Sequence, residues 1–193
     1  MNSNTHTPKL GEDVINQIKD FEYDELTEEQ KSLIDELIPN EELRERYKKY
    51  GLCEECSQPN IDVNWCQSCN SKHFQQEFNK WTSGNKEIDE FIQKSQLSAI
   101  NRYEVLEWVP YNRFKNIEHL AEGGFGTVYK AIWIDGYICY WNNSQNKWSR
   151  SKIEIVLKRL NDSQNLNADF LQQIKSVTSH NIITSHEFKY FPT

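Results

Sequence analysis

"LAEGGFGTVYKAIW", residues 120–133, sets three glycines within four positions and follows them at once with alternating apolar and polar residues. Glycine crowding of this kind lets backbone amides approach a phosphate, and several architectures use it. A Walker loop ends in Gly-Lys-Ser/Thr, which is absent here. A dinucleotide-binding turn lies between a strand and a helix. The residues after Gly126 alternate and are rich in β-branched side chains, so they continue as a strand, and the glycines form the turn of a hairpin. This half of the chain is therefore predicted to be a sheet.

Short alternating or β-branched runs surround the hairpin: "NIEHL" before it, "TVYKAIWI" through it and "IEIVLKRL" after it. Between the last two lies the stretch 135–152, "DGYICYWNNSQNKWSRSK". It is expected to form an extended hairpin around "NNSQN", with Tyr137, Tyr140, Trp141 and Trp148 stacked across it. A partner-binding aromatic platform is the sharper alternative. A helix follows Asn167, with Phe170, Leu171, Ile174 and Val177 on one face. Upstream, "YEVLEWV" (103–109) reads as a strand stopped by Pro110.

The first half has a helical texture. Val14, Ile15 and Ile18 share one face. Thr27 opens a second helix with a capping box to Gln30, burying Leu33, Ile34, Leu37 and Ile38 before Pro39. Asn40 opens a third, with Leu43 and Tyr47 inward, Lys48 and Lys49 at its negative end, and Gly51 as its cap. Further helices are expected around Phe74, Phe78 and Trp81 and around Ile88, Phe91 and Ile92. Residues 1–50 hold 13 acids against 7 bases, while the remaining residues hold 16 against 15. The acidity thus belongs to the N-terminal arm, where it speaks against nucleic acid and leaves a protein partner as the alternative to a solvated face. The mean hydropathy of -0.82 predicts small cores. No apolar run approaches a membrane span and no signal sequence is evident, so a cytoplasmic location is expected.

"CEECSQPNIDVNWCQSC" places Cys53 and Cys56, then Cys66 and Cys69, as two C-x-x-C pairs. Two residues between cysteines let both thiolates address one ion from a tight turn, and two such turns complete a tetrahedral site. A closed four-thiolate zinc site, structural rather than catalytic, is the expectation, in a compact ribbon or knuckle. Disulfides and a redox pair are the competing readings, and His73 could replace Cys69. Cys139, far from the pairs, reads as an inert core thiol.

Residues 114–193 resemble the protein-kinase family. Gly123, Gly126 and Val128 match the last two glycines and the valine of its G-x-G-x-x-G-x-V signature, with Phe125 at the tip. "IVLK" resembles the V-A-I-K strand, "FLQQIKSV" the helix that follows, and "HNII" at His180 the H-P-N-I-V run, without its proline. The resemblance implies an α+β fold: a kinase-like N-lobe over residues 103–193, antiparallel sheet plus one helix. Ahead of it would stand an acidic helical arm (1–50), a zinc ribbon (51–75) and a helical connector (76–102). It implies an ATP site formed by Leu120, Ala121, Glu122, Gly123, Gly124, Phe125, Gly126, Thr127, Val128 and Lys158. There the glycines admit phosphates, Val128 packs on adenine and Lys158 holds the α- and β-phosphates. The segments "WTSGNKEIDEFIQKSQLSA" and "YEVLEWVPYNRF" are similar to those of zinc-ribbon-plus-kinase proteins of arbuscular mycorrhizal fungi.

The departures also carry information. Ala121 stands where the family has its first glycine, Val156 replaces the alanine of V-A-I-K, and Gln173 aligns with the helix glutamate, Asp169 being one turn earlier. Neither an H-R-D nor a D-F-G motif occurs in the 193 residues. The expectation is a kinase-derived chain that bears ATP-binding elements, binds ATP weakly and transfers no phosphate as it stands. The alternative is a non-catalytic interaction module.

Overall fold

A computed structural model describes residues 8–123 and 126–160. It is an α+β structure in which five α-helices precede a three-stranded antiparallel sheet among the described residues. The chain divides after Asn70 into two compact units.

The first unit begins with α1 (Glu12–Ile18), α2 (Glu28–Leu37) and α3 (Glu41–Tyr50). Local chemistry sets the ends of the last two. Thr27 accepts from the Gln30 amide while the Gln30 side chain accepts from the Thr27 amide, and Asn40 accepts from the Leu43 amide. Such caps satisfy amides that the first helical turn leaves without partners. Ile18, Ile34, Ile38, Leu43 and Tyr47 close the core between the helices. The Tyr47 hydroxyl donates to the Ile18 carbonyl at 2.7 Å, and burial pushes its pKa up to about 12. Asp35 on α2 accepts from Lys48 and forms an ion pair with Arg44, both on α3. Gly51 ends α3 at φ +65°, with the Tyr23 ring 2.5 Å from where a Cβ would stand, so glycine is required there by conformation and by space.

In the second unit, α5 (Lys86–Ser98) is capped by Asn85 and buries Ile92 against Leu106, with Trp81, Ile88, Phe91 and Trp108 around them. The expected strand over 103–109 does not form. Asn101 instead caps a 3-10 turn, Arg102–Glu104, and the backbone that follows finds its partners on α5. Ser95 donates to the Glu104 carbonyl at 2.9 Å and Gln96 to the Leu106 carbonyl at 2.8 Å. With these acceptors taken by side chains, the apolar run is buried without a ladder. Of the helix expected around Phe74, Phe78 and Trp81, only Phe74 falls in α4, which spans Gln67–Glu77; Phe78 lies in a 3-10 turn and Trp81 follows it.

The sheet has the order β1 (Phe114–Gly123), β2 (Gly126–Asn142), β3 (Lys147–Leu160). Ala131, Trp133, Ile155 and Leu157 share one face and bury against Val109 and Phe114. The stretch 135–152 forms the extended hairpin. Its turn is set by Asn142, which accepts from the Gln145 amide, and by Asn146 at φ 48°. Gly136, at φ +72°, allows the bulge below it, because a Cβ there would stand 1.8 Å from the Ser151 carbonyl oxygen. Trp141 and Trp148 pair across the strands with centroids 5.2 Å apart. Trp148 also stacks on Phe74 at 4.4 Å and Trp141 on His73 at 3.7 Å, so both indoles are engaged within the unit. Glu107 and Arg150 form an ion pair that ties the 105–109 segment to the same hairpin. The helix expected after Asn167, with Asp169 and Gln173, and the "HNII" run lie outside the described residues.

Candidate metal centre and the glycine-hairpin sheet

The two cysteine pairs are presented by different devices. Cys53 and Cys56 lie on a tight turn closed by Cys53 N–H to the Gln58 carbonyl and Ser57 N–H to the Cys53 carbonyl, both 2.8 Å, with Ser57 at φ 52°. Cys66 stands just before α4 and Cys69 within its first turn, where the Asn70 amide returns to the Cys66 carbonyl at 2.9 Å. A second turn, bridged between Asp62 and Trp65, delivers the chain to Cys66, and Trp65 is 1% exposed beneath it. The second pair thus rides on a helix start rather than on a second free turn.

All four sulfurs lie within 4.8 Å of one another. Cys53 Sγ is 3.9 Å from Cys69 Sγ, and Cys56 Sγ is 3.6 Å from Cys66 Sγ. A tetrahedron with metal–sulfur bonds of ~2.3 Å has edges of about 3.8 Å, so the spacing fits a tetrahedral ion. It does not fit bonded sulfurs, which stand ~2.0 Å apart, and all four thiols are free. Hydrogen bonds from Cys53 and Cys66 pull Cys56 down to about 2. Cys53 rises because it donates to Cys56 and Cys66, and Cys69 rises through burial. A dication held among the four sulfurs would favour the thiolate form of each. Cys53, Cys56, Cys66 and Cys69 are positioned to hold a metal ion. His73 is held elsewhere, stacked on Trp141.

Three residues that sequence reasoning passed over support this turn. Arg46 on α3 donates to the Pro59 carbonyl at 2.6 Å and the Asn60 carbonyl at 3.1 Å. Asn60 donates through its side chain to the Tyr50 carbonyl at 3.1 Å. Gln58 pairs with Leu10, 48 positions away in sequence. A polar residue in a turn carries no signal of so distant a partner.

The glycine hairpin closes with Gly123 opposite Gly126, and Gly124 and Phe125 lie outside the described residues. Ala121 pairs with Val128 and Glu122 with Thr127, while exposed Leu120 falls at a bulge. On β3, Lys158 stands opposite Val128, and Val156 opposite Lys130. Strand alternation places Val128, Lys130, Ile132 and Val156 on the face opposite the buried one, and all four are half-buried. Lys130 reaches Glu154 on that face at 2.9 Å. Cys139 is half-buried on the hairpin, its sulfur 3.8 Å from the Tyr137 carbonyl.

No family model, characterised protein or solved structure matches this chain. Among the described residues no helix is long and apolar enough to cross a membrane.

Proposed function

We propose that residues 114–160 are the nucleotide-facing sheet of a protein-kinase-like lobe, carried on the same chain as a structural zinc centre. One observation supports the ATP reading above others. The register sets the glycine turn, Val128, Val156 and the Lys158 position along one strand pair, with the apolar residues on the face left half-buried. In that arrangement the Gly123 and Gly126 amides would meet the phosphates, Val128 and Val156 would flank the base, and Lys158 would neutralise phosphate charge. Zinc is the metal favoured by four thiolates at tetrahedral spacing, and a closed set of four leaves no position for a substrate.

ATP titration of isotope-labelled protein tests the nucleotide reading. Amide shifts should centre on Gly123, Gly126, Val128 and Lys158, and Lys158→Ala should weaken binding about tenfold or more, the loss expected for a charged hydrogen bond. Shifts confined to residues 51–70 would refute it. Metal analysis of the same sample should return one zinc per chain.

A further inference from the structure

The Gln58 backbone closes the first cysteine turn, because its carbonyl accepts from Cys53 N–H at 2.8 Å. The side chain faces the other way. Its Oε1 accepts from Leu10 N–H at 2.7 Å and its Nε2 donates to the Leu10 carbonyl at 3.1 Å. One residue thus closes the cysteine turn with its backbone and holds both polar groups of Leu10 with its side chain.

Leu10 sits two positions before α1, a helix of seven residues whose N-cap, Gly11, offers no side-chain cap. So short a helix has no stability of its own, since nucleation costs more than two turns return. Its hold on the arm is the packing of Leu10, Val14 and Ile18 onto the α2–α3 core, together with the Gln58 grip. The opposite end of the arm depends on the same turn. Arg46 and the Tyr50 carbonyl bond to residues 59 and 60, and the Asn60 amide donates to the Gly51 carbonyl at 3.0 Å.

We propose that Gln58 is a coupling residue, through which metal loading of the cysteine turn anchors α1 and organises the acidic arm. The inference rests on the reading of the four cysteines as a metal centre. An ion that pins Cys53 and Cys56 holds the Gln58 backbone, and the held backbone keeps the side chain on Leu10. Without the ion the turn 53–58 has two backbone hydrogen bonds to keep its shape, and the grip on Leu10 fails with it. Coupling of this kind is reciprocal, so an arm that loses Gln58 holds its metal less tightly.

Hydrogen exchange on the full chain, zinc-loaded and chelated, tests this, with zinc content measured on every sample. Chelation should accelerate exchange in α1 and α3 together. Zinc-loaded Gln58→Ala should exchange about tenfold faster than native protein over α1, the factor expected for two lost hydrogen bonds, with residues 53–69 still protected. The same variant should bind zinc about tenfold more weakly in competition with a chromophoric chelator. Protein that takes up no zinc overturns the metal reading and the inference with it. Zinc-loaded Gln58→Ala with native protection in α1, or with native zinc affinity, overturns the inference alone.

Discussion

The two units solve the same problem of small size by different means. Residues 8–70 bury five core side chains between three short helices and add a four-cysteine centre. Residues 71–160 rest on a β2–β3 ladder that runs from Gly126↔Leu160 to Asn142↔Lys147, with an apolar face covered by Val109 and Phe114. Outside its helices the first unit makes its backbone bonds in short turns around cysteines that are positioned to hold a metal ion. The second makes its backbone bonds in one continuous ribbon and can spend aromatic side chains on holding the ribbon's far end. Small domains that lack core area use metals for this purpose.

Metal removal should separate the two most sharply. A structural zinc in such a site contributes about 10–16 kcal/mol at neutral pH, more than a unit of this size can supply from its core. Chelation is expected to abolish amide protection over residues 8–70 while the β2–β3 ladder keeps its own. Loss of both together would show that the contrast is false. A smaller effect, on the other side, should follow from Trp148→Ala. The indole is 8% exposed and stacks on Phe74, so truncation should cost about 3–5 kcal/mol and be read in denaturant unfolding of the sheet, with zinc content unchanged. Smallest is Thr27→Ala, which removes one half of the α2 capping box. It should cost about 1 kcal/mol in the first unit, and only in the zinc-loaded protein, where α2 has a folded neighbour to cap against.

Local rules made much of this legible. The Thr27–Gln30 box, the Asn40 cap and the positive φ of Gly51 are decided within a few residues, so sequence pattern finds them. The same holds for the two C-x-x-C pairs and for the glycine hairpin, whose turn chemistry and flanking alternation agree. The segment 103–109 shows where pattern misleads. Its β-branched, alternating residues describe a strand, yet Ser95 and Gln96 take its carbonyls and no ladder forms. Strand propensity reports a fit to a half-buried surface, and here that surface is supplied by a helix.

Spacing along the chain settles the inventory and the short-range geometry: which residues turn, cap, alternate or could ligate. Those properties depend on spacings of two to four residues, which the covalent chain sets. The tertiary structure alone decided that Cys66 and Cys69 ride on the start of α4, that Trp141 and Trp148 close on His73 and Phe74, and that Gln58 holds Leu10. Each of these joins residues far apart along the chain. Their energies come from desolvation and from partners that no local window contains, so no spacing rule could name them.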